Sequence, residues 1–262
     1  MKIVLICHKD SVLSYRGIAT WLNAFSDLAG IVVIEERKQK KMERVKKEMK
    51  RSGFWGLIDV LLFRFFYKFT GQSKDRLIEQ SILDDVKTKY GEPDFNQIDK
   101  VTVTTPNAKA AQAFIESKQP DFIIARCKFL LTERIFSIPK FGTYVFHPGI
   151  CPEYRNAHGC FWAIMNKDYD NVGMTMLKID KGVDTGPIYG YFTYDYDPVG
   201  ESHVTIQSRV VFDNLEGIKD KINEIYQGTA VPLTVDKSRK SNVWGQPRLT
   251  KFLRWKWQRK RE

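Results

Sequence analysis

Cysteine is scarce: Cys7, Cys127, Cys151 and Cys160 are the only four among 262 residues. They are scattered and contain no CxxC pair, which excludes a disulfide framework and the common zinc-knuckle and thiol redox motifs. No run of about 20 apolar residues is present, so no segment reads as a transmembrane helix. The opening "MKIVLICHKD" is apolar over too short a stretch for a signal peptide and has no small-residue cleavage site. It reads as a first buried strand of a cytoplasmic protein. Internal repeats and low-complexity tracts are also missing. Acidic residues are in the minority, with 31 Asp and Glu against 42 Lys and Arg, for a net charge of +11.

A chain of this length with 43% apolar residues can bury one large core. The positive excess is concentrated in residues 37–51, with nine Lys or Arg against two Glu, and in residues 237–262. Those two segments, rather than the core, are expected to attract phosphate-bearing partners. An anionic membrane surface, at the inner face, is one such expectation, favoured by Trp244, Trp255 and Trp257 among the tail's cations. The alternative is a solvated tail with its indoles docked on the body. No specific nucleic acid is expected.

Strand-like and helix-like patterns alternate through the first two-thirds, as in crossover units around a parallel sheet. The predicted strands are "KIVLIC", "AGIVVIE", "KVTVT", "DFIIAR", "GTYVFH" and "GMTMLKI", followed by a half-exposed "PIYGYFTYDYDP". Helices are expected at about 11–25, about 107–118 with Asn107 as N-cap, and about 158–167. "ESHVTIQSRVVFDNLEGIKDKINEIYQG" reads as one long helix stopping near Gly228. The fold class is therefore α/β, a Rossmann-like, doubly wound, mostly parallel sheet, with a helical insertion over about 37–95 and a basic tail. Residues 1–228 are expected to form the body and 229–262 the tail. Within the insertion, Gly53 separates the basic run from the apolar "FWGLIDVLLFRFFYKF", which carries Asp59, Arg64 and Lys68. That piece is expected either to dock on the body or to skim a lipid monolayer.

His147 ends a strand and is followed by Pro148 and Gly149, so its imidazole stands at the carboxyl edge of the sheet, where α/β sheets bind ligands. An imidazole there can take and return a proton at physiological pH if a neighbour fixes its tautomer. Asp184, in "DKGVDTG" between two strands, is the candidate partner. His147, Cys151, His158 and Cys160 also form a nominal metal set, but H-x3-C-x6-H-x-C matches no familiar ligand spacing, and no metal is expected.

The stretch "FHPGICPEYRNAHGCFWAI", followed by "VGMTMLKIDKGVDTGPI", resembles the catalytic core of the folate-dependent formyltransferases. That group includes the glycinamide ribonucleotide, methionyl-tRNA and sugar N-formyltransferases. The resemblance covers roughly residues 100–195 and implies the formyltransferase type of fold. It implies that 10-formyltetrahydrofolate is the donor, that an amine is the acceptor, that His147 is the catalytic histidine and that Asp184 is its aspartate. Arg126, Cys127, Lys128 and Phe129 lie where the family's pterin loop follows the fourth strand, and residues from Asp180 to Asp184 form the opposite wall. Tyr154 and Arg155 are candidate substrate-binding residues; Arg155 grips an anionic group or pairs with Glu153.

One position departs from the family. Where it has Asn two residues before the histidine, this chain has Val145, which cannot hydrogen-bond the formyl oxygen. Losing one such donor typically lowers an acyl-transfer rate about 100- to 1,000-fold. The replacement expected from the sequence is His158 or Asn156, with Arg126 and Lys128 as further candidates. A small-molecule or glycan-precursor amine is the expected acceptor. The competing readings are a catalytically silent relative that binds a ligand or partner, and a deformylating hydrolase.

Overall fold

Alternation along β1 (Lys2–His8) sets the layers of the fold. Ile3, Leu5 and Cys7 enter one apolar core, and Val4 and Ile6 enter another on the opposite face. All five are fully buried in the computed structural model, which describes residues 1–36, 38–236 and 238–259. A strand covered on both faces has to be apolar throughout, and "KIVLIC" is.

A π-helical turn at Leu13–Ile18 runs into α1 (Ala19–Phe25). After β2 (Asp27–Ile34) come α2 (Lys38–Thr70) and α3 (Gln72–Tyr90), which make up the insertion, and then β3 (Lys100–Val103). There follow α4 (Lys109–Lys118), β4 (Phe122–Arg126), α5 (Glu133–Phe136) and β5 (Gly142–His147). The short β6 (Arg155–Asn156) precedes α6 (Gly159–Met165), β7 (Met174–Lys178) and β8 (Ile188–Phe192). Last are α7 (His203–Phe212), α8 (Leu215–Gln227), β9 (Val243–Trp244) and α9 (Leu249–Arg259). The main sheet has the order β3-β2-β1-β4-β5-β7-β8. Its first five strands are parallel, and β7 and β8 are antiparallel additions. All six predicted strands and the half-exposed seventh are present. The order reverses beside β1, so the carboxyl ends of β1, β4 and β5 frame the crevice in which such sheets carry their sites.

Two expectations need correction. Asn107 does not cap α4. Ala108 holds that position, while Asn107 Oδ1 accepts from Thr132 N (2.9 Å) and its Nδ2 donates to Leu130 O (2.9 Å), pinning the loop after β4. The segment expected as one long helix is two, α7 and α8, broken at Asp213–Asn214. The apolar spacing runs on through the break and so hid it. The segment expected to be helical at about 11–25 is helical from Leu13 to Phe25, its first turn π-helical. The break at Gly53 is real: with φ 72° and ψ 176° it leaves the helical region inside α2.

The insertion is tied to the body through Asp75 of α3, a carboxylate only 4% exposed. It accepts hydrogen bonds from the hydroxyls of Tyr67 in α2, Ser202, and Thr205 in α7. Ser202 also caps α7, its Oγ accepting from Val204 N (3.0 Å) and Thr205 N (3.1 Å). Losing a helix cap and a hydrogen bond to a buried carboxylate together costs about 2–3 kcal/mol. Ser202→Ala is expected to lower the urea unfolding free energy by about that much, and an unchanged midpoint would contradict the network.

Candidate active site

The end of β5 places His147 in a closed setting, 5% exposed. Its Nε2 lies 2.8 Å from the carbonyl oxygen of Tyr154. A carbonyl only accepts, so Nε2 carries the hydrogen, and Nδ1 is the nitrogen that faces Asp184 Oδ2 at 3.6 Å. The loop after His147 has to double back tightly to make this contact. A side chain at Gly149 would meet Tyr154 O at 2.5 Å and His147 Nε2 at 2.9 Å, and one at Gly159 would meet Gly149 Cα at 2.5 Å. Thr175, fully buried opposite His147 in β7, fastens the turn, its Oγ1 donating to Gly149 O (2.7 Å) and accepting from Cys151 N (3.0 Å).

Asp184 sits in the left-handed region at φ 50°, a conformation Asp tolerates better than most residues. Its Oδ2 accepts from Asn156 N at 2.7 Å. Asp180 organises the same hairpin, accepting from Gly182 N (2.8 Å) and Thr185 Oγ1 (2.8 Å). Its carboxylate is thus engaged within the turn.

The tail completes the loop. β9 pairs with β6, and Asn156 Nδ2 donates to Trp244 O. The Trp244 ring stacks on Tyr154 (centroids 5.7 Å, 18°) and on Trp162 (4.9 Å, 24°), and its Nε1 donates to Glu153 O (2.8 Å). Glu153 is gripped by Arg239 through Nε (2.8 Å) and Nη2 (2.6 Å). The pairing of Arg155 with Glu153 considered from the sequence is therefore absent; Arg155 Nη1 donates to Val183 O (3.2 Å), bracing the Asp184 hairpin. The Tyr154 ring is buried and its hydroxyl donates to Asp168 Oδ2 (2.7 Å), so Tyr154 meets His147 through its backbone.

Two expected oxyanion donors have other partners. The Asn156 side chain bonds Trp244, and only its backbone N–H reaches Asp184. His158 turns toward α7, its Nδ1 accepting from Gln207 Nε2 (3.1 Å) and its ring 5.7 Å from that of His203. These histidines line a cavity of about 120 Å³ with Phe63, Arg64, Tyr67, Gln246 and Pro247.

On the other side of His147, Arg126 ends β4 beside Cys7 of β1, and its Nη1 donates to Phe146 O. Its Nε is buried without a protein partner. Burial pushes this guanidinium down to about 10, and pushes the thiols of Cys7 and Cys127 up to about 12 and about 11. Lys128 N donates to His8 Nε2 (3.1 Å), and Phe129 stacks on the His8 ring at 5.8 Å. Val145 packs on Cys151, Leu177 and Ile188. Cys160 Sγ meets Gly173 O at 3.2 Å, and among the described residues no three His, Cys, Asp or Glu side chains gather as a metal site.

His8 and Thr175 were missed from sequence, whereas Trp244, expected either at a lipid surface or docked on the body, is docked. Only Thr175 left a signal there, as a polar residue amid the apolar "GMTMLKI".

Residues 77–222 match the formyl transferase family. Methionyl-tRNA formyltransferases of Thermotoga maritima and Thermodesulfovibrio yellowstonii are 30% and 29% identical over 134 residues. Those residues are 51% of this chain and 42% and 39% of theirs. The match thus spans less than half the length of these relatives. Among solved structures, a sugar N-formyltransferase from a Shewanella species aligns with a TM-score of 0.54 at 14% identity, over 94% of this chain and 77% of that one. A phosphoribosylglycinamide formyltransferase from Anaplasma phagocytophilum aligns with a TM-score of 0.54 at 12% identity, over 90% and 96%. At these identities the two structures share the fold.

Burial pushes His158 down to about 3, an effect strengthened by His203, Lys128 and Arg64, and burial pushes His203 down to about 4. The unfolded chain protonates its histidines near about 6.5. Between that pH and about 4 the fold therefore holds fewer protons than the unfolded chain, and its stability falls as pH falls. His203→Phe, which keeps an aromatic ring against Phe63 and Tyr67, is expected to make the acid limb of unfolding free energy against pH shallower. Parallel limbs for the variant and the wild type would refute this.

Proposed function

Because the chain belongs to the formyl transferase family, we propose that it is an enzyme moving a formyl group from 10-formyltetrahydrofolate to an amine of a small-molecule or glycan-precursor acceptor. The observation that carries the reading is the approach of His147 Nδ1 to Asp184 at the carboxyl edge of the sheet. With Nε2–H held by the Tyr154 carbonyl, Nδ1 is the nitrogen able to accept the proton of an attacking amine. Asp184, oriented by Asn156 N–H, stabilises the imidazolium. A bond forms from the amine nitrogen to the formyl carbon, the donor's carbon–nitrogen bond breaks, and His147 returns the proton to the departing nitrogen.

Val145 supplies no donor for the negative charge that develops on the formyl oxygen, and Arg126 takes that role in this reading. Its support is a buried guanidinium with an unpartnered Nε, bonded to the carbonyl of the residue next to His147. Residues 126–131 would flank the pterin, with Phe129 and the exposed Leu130 as apolar surface and Lys128 as a cation for the folate carboxylates. The chemistry supplied by the donor is an activated formyl group. A second reading, a relative that binds ligand without transfer, is favoured by Val145 alone.

The test is amine-dependent release of tetrahydrofolate across a panel of amino sugars and their nucleotide-linked forms. His147→Ala is expected to lower kcat by about 100- to 10,000-fold while a stable tetrahydrofolate analogue still binds by calorimetry. Arg126→Met is expected to lower kcat by about 100- to 1,000-fold. Formate released without an amine would make the protein a hydrolase. Analogue binding with no turnover on any amine would favour the second reading.

A further inference from the structure

Past Gly53, α2 is apolar on two faces but covered on one. Val60 and Phe63 are buried, with Phe63 packing edge-on against Phe161, His203 and Phe252. Phe54, Trp55, Leu61, Leu62, Phe65 and Phe69 are 46–78% exposed. At 3.6 residues per turn these six fall within an arc of about 120° on the side away from Phe63. A helix that is apolar all round is ordinarily enclosed, and a contiguous uncovered aromatic face marks an interaction surface.

The charges that α2 carries beside this face are predominantly basic. Asp59, the only acidic residue of 54–69, turns to α9, where it accepts from Thr250 N (2.9 Å) and Thr250 Oγ1 (2.5 Å). Lys68 lies 5.9 Å from the Phe69 ring. Before the break, Lys46, Lys47 and Lys50 are exposed on the same helix, in the run where basic residues outnumber acidic nine to two. No described helix is long and apolar enough to cross a membrane. The segment also precedes the family match at 77–222, so this face lies outside the part of the chain matched to the family.

We propose that this face docks the protein on an anionic lipid bilayer. The aromatic residues enter the boundary between headgroups and acyl chains, and the basic half of α2 lies over anionic headgroups. Aromatic rings favour that boundary, and clustered lysines favour anionic lipid within a Debye length of the surface. The proposal is independent of the transfer reaction, since none of these residues touches His147 or Asp184 among the described contacts.

The test is co-sedimentation of the full chain with vesicles of phosphatidylcholine alone or mixed with phosphatidylglycerol. At least tenfold tighter binding to the anionic vesicles is expected, weakening as salt rises. The double variant Trp55→Glu/Phe65→Glu is expected to lose at least tenfold of that binding at an unchanged thermal midpoint, the altered side chains being solvent-facing. Lys46→Glu/Lys47→Glu/Lys50→Glu is expected to abolish the preference for anionic lipid while leaving the fold intact. The proposal fails if wild-type protein stays in the supernatant with both vesicles, binds both equally, or sediments unchanged with Glu at positions 55 and 65. Light scattering that shows a lipid-free dimer, converted to monomer by the double variant, would overturn it in favour of a second copy as the occupant.

Discussion

One buried hydrogen bond, from His147 Nε2 to the Tyr154 carbonyl, organises the candidate site. It fixes which imidazole nitrogen faces Asp184, and it depends on the intervening loop turning tightly at Gly149 and packing against Gly159 at the start of α6. Once Tyr154 is positioned, Arg155 and Asn156 follow in register. The one braces the Asp184 hairpin through Val183 O, and the other hands its backbone N–H to the carboxylate. A single backbone carbonyl thereby couples the end of β5, the loop and the hairpin between β7 and β8.

That loop is held from outside the family-matched region. Trp244 is sandwiched against Tyr154 and Trp162, Trp162 Nε1 donates to Gly245 O (2.9 Å), and Arg239 clasps Glu153. The insertion reaches the same neighbourhood from the other direction, through Phe63 against Phe161 and Arg64 Nη2 donating to Gln246 Oε1 (3.0 Å). Two elements that look peripheral in the sequence are in this way joined to the shell around the candidate-site loop. A lipid surface engaging α2 would act on a helix already packed against that shell.

The sheet was legible because strands covered on both faces read as unbroken apolar runs, and "KIVLIC", "DFIIAR" and "GTYVFH" do. The His147–Asp184 pair was legible because each lies in a compact local motif whose turn residues dictate geometry. The directions of the Asn156 and His158 side chains were not, since their partners, Trp244 and Gln207, lie far along the chain. Asn107 was misread for a similar reason: its sequence position suits a helix cap, while its side chain is taken by Leu130 and Thr132. The break between α7 and α8 left no trace because Val211, Leu215 and Ile218 keep helical spacing across it.

His147 presents Nδ1, and not Nε2, to Asp184 and, in the proposed reaction, to the attacking amine. Long-range proton–nitrogen correlation spectra of protein with nitrogen-15 in its histidines, assigned through His147→Gln, read the tautomer directly. Neutral His147 is expected to carry its hydrogen on Nε2. A hydrogen on Nδ1 would contradict it, because the Tyr154 carbonyl could then receive no hydrogen bond from the ring.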